Sequence, residues 1–284
     1  MWDVILDTLL DTAKLLPFLF LAYLLMEFLE HRSGDRVSRW LSRSGNVGPL
    51  VGGVLGIVPQ CGFSAAASGL YAGRIITAGT LIAVYLSTSD EMLPIMLSHG
   101  IFPYKLLLAK LVIGIVTGFA VDLVTRLIRH GKTVSEPQVE DLCEREHCQC
   151  GDHFALSALR HTLRITAFLL LVIFLLNTAV YLVGEERLAQ ILSNRPVLGN
   201  LLASFIGLIP NCASSVVLTE LYLSGILHVG PLLSGLLVNA GVGLLVLFRN
   251  NRPVRDSFRI LGILWIVGFA AGLLIDLTPL VNLF

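Results

Sequence analysis

Pro59-Gln60-Cys61 and Pro210-Asn211-Cys212 stand 151 residues apart, inside the apolar stretches Gly56-Ile57-Val58-Pro59-Gln60-Cys61 and Gly207-Leu208-Ile209-Pro210-Asn211-Cys212. Proline lacks an amide hydrogen and breaks a helix. An amide and a thiol at membrane depth need partners or a role. Each triplet therefore reads as the tip of a broken helix. The same 151-residue shift pairs Gly56 with Gly207, Ser64 with Ser215, Leu70-Tyr71 with Leu221-Tyr222, Ile75 with Ile226 and Gly79 with Gly230. A shift of 150 pairs Lys14 with Arg164 and Phe18 with Phe168, and a shift of 154 pairs Gly118 and Asp122 with Gly272 and Asp276. Shared leucine content would not align Pro, Cys, Tyr and Gly together. The chain reads as a repeat: 1–128 the first transmembrane copy, 129–160 a linker, 161–284 the second copy.

The repeat belongs in a bilayer. Of 284 residues, 55% are hydrophobic and 14% charged, with mean hydropathy +0.80, where a soluble domain carries about a quarter charged residues. Formal net charge is zero, which gives no pull toward nucleic acid. Asp3, Asp7 and Asp11 stand where a signal peptide carries basic residues, so the first apolar run is expected to stay as a transmembrane helix. Five cysteines, two in the triplets and three in one polar loop, do not make a disulfide framework.

In chain order, 14–28 is a span and 31–45 an Arg-rich interfacial stretch. The arms 47–58 and 62–72 flank the first triplet. As helices of about a dozen residues they reach ~18 Å, short of the ~30 Å hydrocarbon core. Such arms form a re-entrant hairpin or a discontinuous helix. Spans follow at 75–96, interrupted by Ser87-Thr88-Ser89-Asp90-Glu91, and at 104–127. After the linker the pattern restarts with a span at 162–182, arms 198–209 and 213–223 around the second triplet, and spans at 229–248 and 260–277. The expected fold is thus an all-α integral membrane protein of two inverted-topology repeats. Each has a Pro-broken hairpin and three full spans, about ten helical segments in all.

Charge gives the orientation. With loop 31–45 inside, the linker with Arg126, Arg129 and Lys132 and the loop with Arg249, Arg252 and Arg255 also fall inside, and both termini outside. Arg74, at the exit of the first hairpin, would face inside too. Lys14, Lys105, Lys110, Arg164 and Arg259 lie near span ends and are expected to reach the interface. Each half has an odd number of crossings, so the copies are antiparallel, an arrangement in which transporters bind substrate near the midplane between paired broken helices.

That site would comprise Pro59, Gln60, Cys61, Ser64, Ser68, Asp90, Glu91, Pro210, Asn211, Cys212, Ser214, Ser215, Thr219 and Asn239. Pro-freed carbonyls suit a cation and half-helix N–H groups an anion; Cys61 and Cys212 add soft sulfur ligands. Ser64, Ser68, Ser214, Ser215 and Thr219 follow at helical spacing and would complete an oxygen shell. Asp90-Glu91 could ligate a divalent cation or carry a coupling proton, with Asp90 the stronger choice, and Asn239 pairs with Thr88 across the repeat. The alternatives are that Pro merely kinks while Cys packs as a small hydrophobe, and that Asp90-Glu91 has reached the solvated interface. Cys143, His147, Cys148, Cys150 and His153 in the linker are enough ligands for a metal, without zinc-finger spacing and among the acidic Glu140, Asp141, Glu144 and Glu146. A disordered acidic loop is the alternative there. No phosphate-binding Walker loop and no nucleophile-base pair is recognisable, so the chain is expected to be neither an ATP-driven pump nor an enzyme.

Val58-Pro59-Gln60-Cys61-Gly62-Phe63-Ser64, Ser87-Thr88-Ser89-Asp90-Glu91, Ile209-Pro210-Asn211-Cys212-Ala213-Ser214-Ser215 and Asn239-Ala240-Gly241 together resemble the ten-transmembrane heavy-metal exporters, a family related by name to arsenic-efflux permeases and described as manganese transporters. The resemblance covers both halves and the central His/Cys loop. It implies export of a metal or metalloid ion across a bacterial inner membrane, the ion being substrate and no cofactor tightly bound. Three functions stay open: a secondary exporter of a divalent cation such as manganese; a permease for an anion or arsenical held by half-helix N-termini and the paired cysteines; and a membrane metal sensor using the Cys/His loop. The expected partners are the ion and the lipid bilayer, without nucleic acid; a coupling proton and a homodimer are left open.

Overall fold

The structure, a computed structural model, describes residues 47–58, 61–89, 91–128, 196–210 and 212–278, with isolated helical positions between 9 and 24 and between 159 and 174. The side chains of Cys61, Pro196, Cys212 and Ala213 are not among those described. Among the described residues the chain is helical without strands. The helices are α1 (Gly48–Gly56), α2 (Cys61–Ala72), α3 (Ala78–Ser87), α4 (Met92–Ser98), α5 (Tyr104–Ile128), α6 (Pro196–Gly207), α7 (Cys212–Leu223), α8 (Val229–Val238), α9 (Gly243–Asn250) and α10 (Val254–Leu277). Tyr104–Ile128, Val229–Asn250 and Val254–Leu277 are long and apolar enough to cross a bilayer; the unbroken α5 and α10 alone rise about 36 Å or more against a core of ~30 Å. The protein is membrane-embedded.

Glycines set the packing. A Cβ on Gly118 would lie 2.6 Å from the Gly79 carbonyl oxygen, and one on Gly272 would lie 2.5 Å from the Gly230 oxygen. α5 therefore runs antiparallel against α3 at backbone contact, and α10 does the same against α8. Small residues allow this approach where lipid supplies no hydrophobic drive for helix association. At the end of each contact sits an aspartate. Asp122 accepts from the Gly79 N–H at 2.8 Å and the Thr77 hydroxyl at 2.7 Å; Asp276 accepts from Asn200 Nδ2 at 2.6 Å. Beside these pairs α1 runs parallel to α3, Gly48 facing Thr80 and Gly56 facing Ser87. α6 runs parallel to α8, with Ser234 Oγ donating to the Asn200 carbonyl at 3.2 Å. The same partners thus recur in both halves at positions related by the sequence shifts.

α2 and α7 cross over. α2 lies along α9, with Ser64 against Gly243, and α7 packs on α4. Their caps match: the Ile75 N–H donates to Leu70 O at 2.9 Å past Arg74, and the Ile226 N–H to Leu221 O at 3.0 Å past Gly225. Both Arg74 (φ 59°) and Gly225 (φ 76°) are left-handed, as this cap requires.

α5 shows which side of a helix faces lipid. Leu106, Lys110, Gly114, Gly118 and Asp122 recur every fourth residue and are buried. Leu108, Val112, Val116 and Leu123 on the other faces are exposed. A polar, glycine-rich inner stripe under an apolar outer surface suits lipid outside and helix contacts inside. Between the halves, Leu81, Ile82, Tyr85 and Leu86 of α3 pack with Leu232, Leu233, Leu236 and Leu237 of α8.

Two expected full spans are broken. The one at 75–96 is α3 plus α4, and the one at 229–248 is α8 plus α9, interrupted at residues 239–242. In the second break Gly241 takes φ 53° and its N–H donates to Asn239 Oδ1 at 3.0 Å, a local turn that competes with the helix. One Asn and one Gly hardly dent the hydropathy of a segment, which is why the pattern reads as continuous. The expected spans at 14–28 and 162–182, the loop 31–45 and the linker 129–160 lie outside the described residues, apart from the isolated helical positions.

Candidate functional site

α3 and α8 point at each other. α3 begins beside Arg74, which contacts the start of α10, and α8 is antiparallel to α10, so α3 and α8 enter from opposite ends of the bundle. Their last carbonyls have no partner within the helix and carry the negative end of the helix dipole. The Lys110 ammonium fills this junction, donating to Thr88 O and, at 2.9 Å, to Leu236 O. Lys110 is 1% exposed and so does not reach the interface. The four-residue stripe of α5 turns it inward, and a cation between two helix C-termini is what their dipoles favour. Its counterpart in α10 is Leu264, also buried.

The first break is rich in hydroxyls. Thr88 leaves the helix at ψ 127°, while Ser87 Oγ and Thr88 Oγ1 donate back to Ala83 O at 2.5 Å and Val84 O at 2.7 Å. Ser89 Oγ donates to Ile57 O at 2.8 Å, which places the end of α1 at this break. Glu91 is half-buried at the start of α4 and makes no side-chain cap.

The second break holds an unsatisfied group. Asn239 is 2% exposed; its Oδ1 serves the Gly241 N–H, and its Nδ2 has no partner. A backbone N–H can only donate, so this turn fixes which end of the amide is the acceptor. A buried donor without a partner costs about 1–3 kcal/mol, which something else must offset.

The expected residues are distributed as follows. Ser64 and Ser68 are buried on α2. The Ser68 hydroxyl lies 2.6 Å from Ser64 O, 2.8 Å from Gly243 O and 2.6 Å from the Tyr85 hydroxyl. Ser68 has one proton and the carbonyls can only accept, so Tyr85 donates to Ser68. Ser214, Ser215 and Thr219 are buried on α7, where Thr219 Oγ1 donates to Ser215 O at 2.7 Å and Ser214 Oγ reaches Ile209 O at 3.4 Å. Pro210 is half-buried. Pro59, Gln60, Asp90, Asn211, the side chains of Cys61 and Cys212, and the whole of Cys143, His147, Cys148, Cys150 and His153 lie outside the described residues. The described neighbours of the first triplet nevertheless touch both breaks, Ile57 at Ser89 and Ser64 at Gly243.

The sequence reading set Lys110 at the interface and passed over Tyr85 and the break at residues 239–242. The four-residue spacing of Leu106, Lys110, Gly114, Gly118 and Asp122 was the signal available for Lys110. Among the described residues no three His, Cys, Asp or Glu side chains gather as metal ligands. Comparisons with protein-family models, with curated proteins and with solved structures find no match.

Proposed function

We propose that this protein is a secondary transporter of the heavy-metal exporter type, built from two inverted repeats. It moves a metal or metalloid ion, in the first instance a divalent cation such as manganese, out through a site between paired broken helices near the midplane. The observation that carries this reading is the head-to-head meeting of α3 and α8 at Lys110. Helices that are counterparts in sequence approach from opposite ends and stop at one junction, the geometry expected where inverted repeats share a site. The hairpins α1–α2 and α6–α7 lead in beside α3 and α8 and return to the ends they left, which matches re-entrant elements entering from the two membrane faces. The end carrying Arg74, Arg126, Arg249, Arg252 and Arg255 would be cytoplasmic in a bacterial inner membrane, with both termini outside. The oxygen ligands for a divalent ion would be Asp90, the carbonyls at the proline breaks, Gln60 and Asn211, joined by Cys61 and Cys212 for softer ions. No catalytic step is involved.

The second reading, transport of an anion or arsenical, draws on Asn239. Its unpartnered Nδ2 and the nearby Lys110 ammonium are donors, which suit a substrate bearing acceptor oxygens.

Purified protein in liposomes, offered a panel of divalent cations and oxyanions with and without a proton gradient, tests both. We expect a divalent cation to be taken up above empty-liposome background and Asp90→Asn to abolish the uptake. Asn239→Asp discriminates the readings, because it keeps the oxygen that caps Gly241 and replaces the donor by an acceptor. Under the cation reading it retains or raises uptake; under the anion reading it lowers transport about tenfold or more, since a carboxylate set against the substrate's acceptor oxygens costs over ~1.4 kcal/mol, and Cys61→Ser with Cys212→Ser is damaging for an arsenical. If no ion in the panel moves, the protein is not a transporter of this type.

A further inference from the structure

The end of α2 is pinned to the start of α10 by a cluster that spans the two halves. Arg74 Nη2 donates to Arg252 O at 2.8 Å, and Nη1 lies 3.5 Å from Asp256 Oδ2. The Tyr71 hydroxyl donates to the same carboxylate oxygen at 2.5 Å, and Asn251 Nδ2 does so at 3.2 Å. The guanidinium also lies over the Tyr71 ring, 5.4 Å from its centroid. Arg74 and Asp256 are 22% and 27% exposed, so the pair sits at the rim of the bundle without being fully solvated.

Two features set this cluster apart from an ordinary surface ion pair. Arg74 is held at φ 59°, where side chains other than glycine are strained, and among the described residues it is the one non-glycine with positive φ. Its counterpart in the second half is Gly225, at φ 76° in an equivalent cap. The fold therefore needs a left-handed residue here and accepts glycine; the arginine is kept for what its side chain does. The partners are one-sided as well. At the shift of 154 the counterparts of Asp256 and Arg252 are Phe102 and Ser98, and the counterpart of Tyr71 is Tyr222. The cap at Gly225 thus recurs among the described residues with neither the arginine nor the aspartate at the counterpart positions.

Position gives the cluster its leverage. α2 is the outgoing leg of the first hairpin, whose incoming leg ends at Ser89 and whose own first turn lies on Gly243. Its inner end adjoins both helix breaks and its outer end is tied to α10. We propose that Tyr71, Arg74 and Asp256 form a latch that closes the arginine-rich end of the route to the junction. The latch rests on the transport reading, since it presumes a junction reached in turn from two sides. It opens by releasing α2 from α10.

The test is side-specific labelling. A cysteine at the junction (Ser89→Cys), in the full chain with its five native cysteines replaced by alanine, is exposed to a membrane-impermeant maleimide in inside-out and right-side-out vesicles. With the latch intact, labelling from the arginine-rich side is slow. Asp256→Asn combined with Arg74→Gly is expected to raise the rate from that side about tenfold, the shift given by losing ~1.4 kcal/mol of closure, and to leave the other side unchanged. Tyr71→Phe, which removes one hydrogen bond and no charge, is expected to give a smaller rise on the same side and carries the test if the double variant does not fold. An unchanged rate, an equal rise from both sides, or no labelling from the arginine-rich side in any variant overturns the latch. Labelling needs no ion movement, so a wild-type protein that fails to transport would strike the transport reading and leave this result standing.

Discussion

Lys110→Met is expected to lower the thermal unfolding midpoint of the detergent-purified protein by about 10 °C. Methionine matches the lysine stem in length, so the variant leaves little cavity, and the loss comes from hydrogen bonds. Thr88 O and Leu236 O would each lose a charged donor at a buried helix end, and such bonds are worth about 1.5–3 kcal/mol apiece. Relief of the buried ammonium's own desolvation works the other way. It does not win, because both carbonyls stay in place facing each other with like dipole ends. A total near 3 kcal/mol, at roughly 2–4 °C per kcal/mol for a chain of this size, gives the shift stated. An unchanged midpoint would mean that the helix ends find other donors, and the junction could not then be organised by this lysine. Transport should fall with the same substitution, since α3 and α8 would no longer share a common partner.

The second large effect is steric and carries its own control. Gly118→Ala puts a methyl 2.6 Å from Gly79 O, 2.9 Å from Pro49 Cβ and 3.0 Å from Ala83 Cβ; Gly272→Ala puts one 2.5 Å from Gly230 O and 2.6 Å from Ser234 Cβ. A backbone oxygen of the facing helix stands within 2.6 Å in both cases, joined at Gly272 by the Asn200 Oδ1 atom, so relief requires the helices to part. Overpacking of this kind costs about 1–3 kcal/mol and occasionally more, and both variants should unfold several degrees earlier. Gly262→Ala, also on α10, meets nothing within 4 Å and should hold or raise the midpoint, because alanine is the better helix residue by up to ~1 kcal/mol. Equal effects at Gly262 and Gly272 would show that glycine content rather than close approach governs stability here.

Much of the helical framework could be read from residue order. α1 ends at Gly56 and α2 starts at Cys61, while α6 ends at Gly207 and α7 starts at Cys212, close to where the two prolines stand, because a missing amide hydrogen acts on its own turn and needs no tertiary context. The pairing of Gly79 with Gly230 and of Gly118 with Gly272 likewise marked residues that turn out to lie at backbone contacts. The break at Asn239 was not legible, since a single amide and a glycine also occur inside continuous membrane helices. Lys110 was misjudged for a related reason. A lysine six residues into an apolar run reaches the interface if its helix face looks outward, and hydropathy alone is silent on which way the face looks.

Local chemistry decided what this chain is made of. Apolar runs long enough to cross a bilayer, prolines that stop helices and glycines recurring at fixed shifts are properties of neighbours along the backbone, and they hold whatever the rest of the molecule does. Which helix ends meet, and that a lysine from one half caps carbonyls belonging to both, was decided by packing. Burial and hydrogen-bond partnership depend on distant residues, 126 positions apart for Lys110 and Leu236 and 185 for Tyr71 and Asp256, and no pattern read over a few turns contains them.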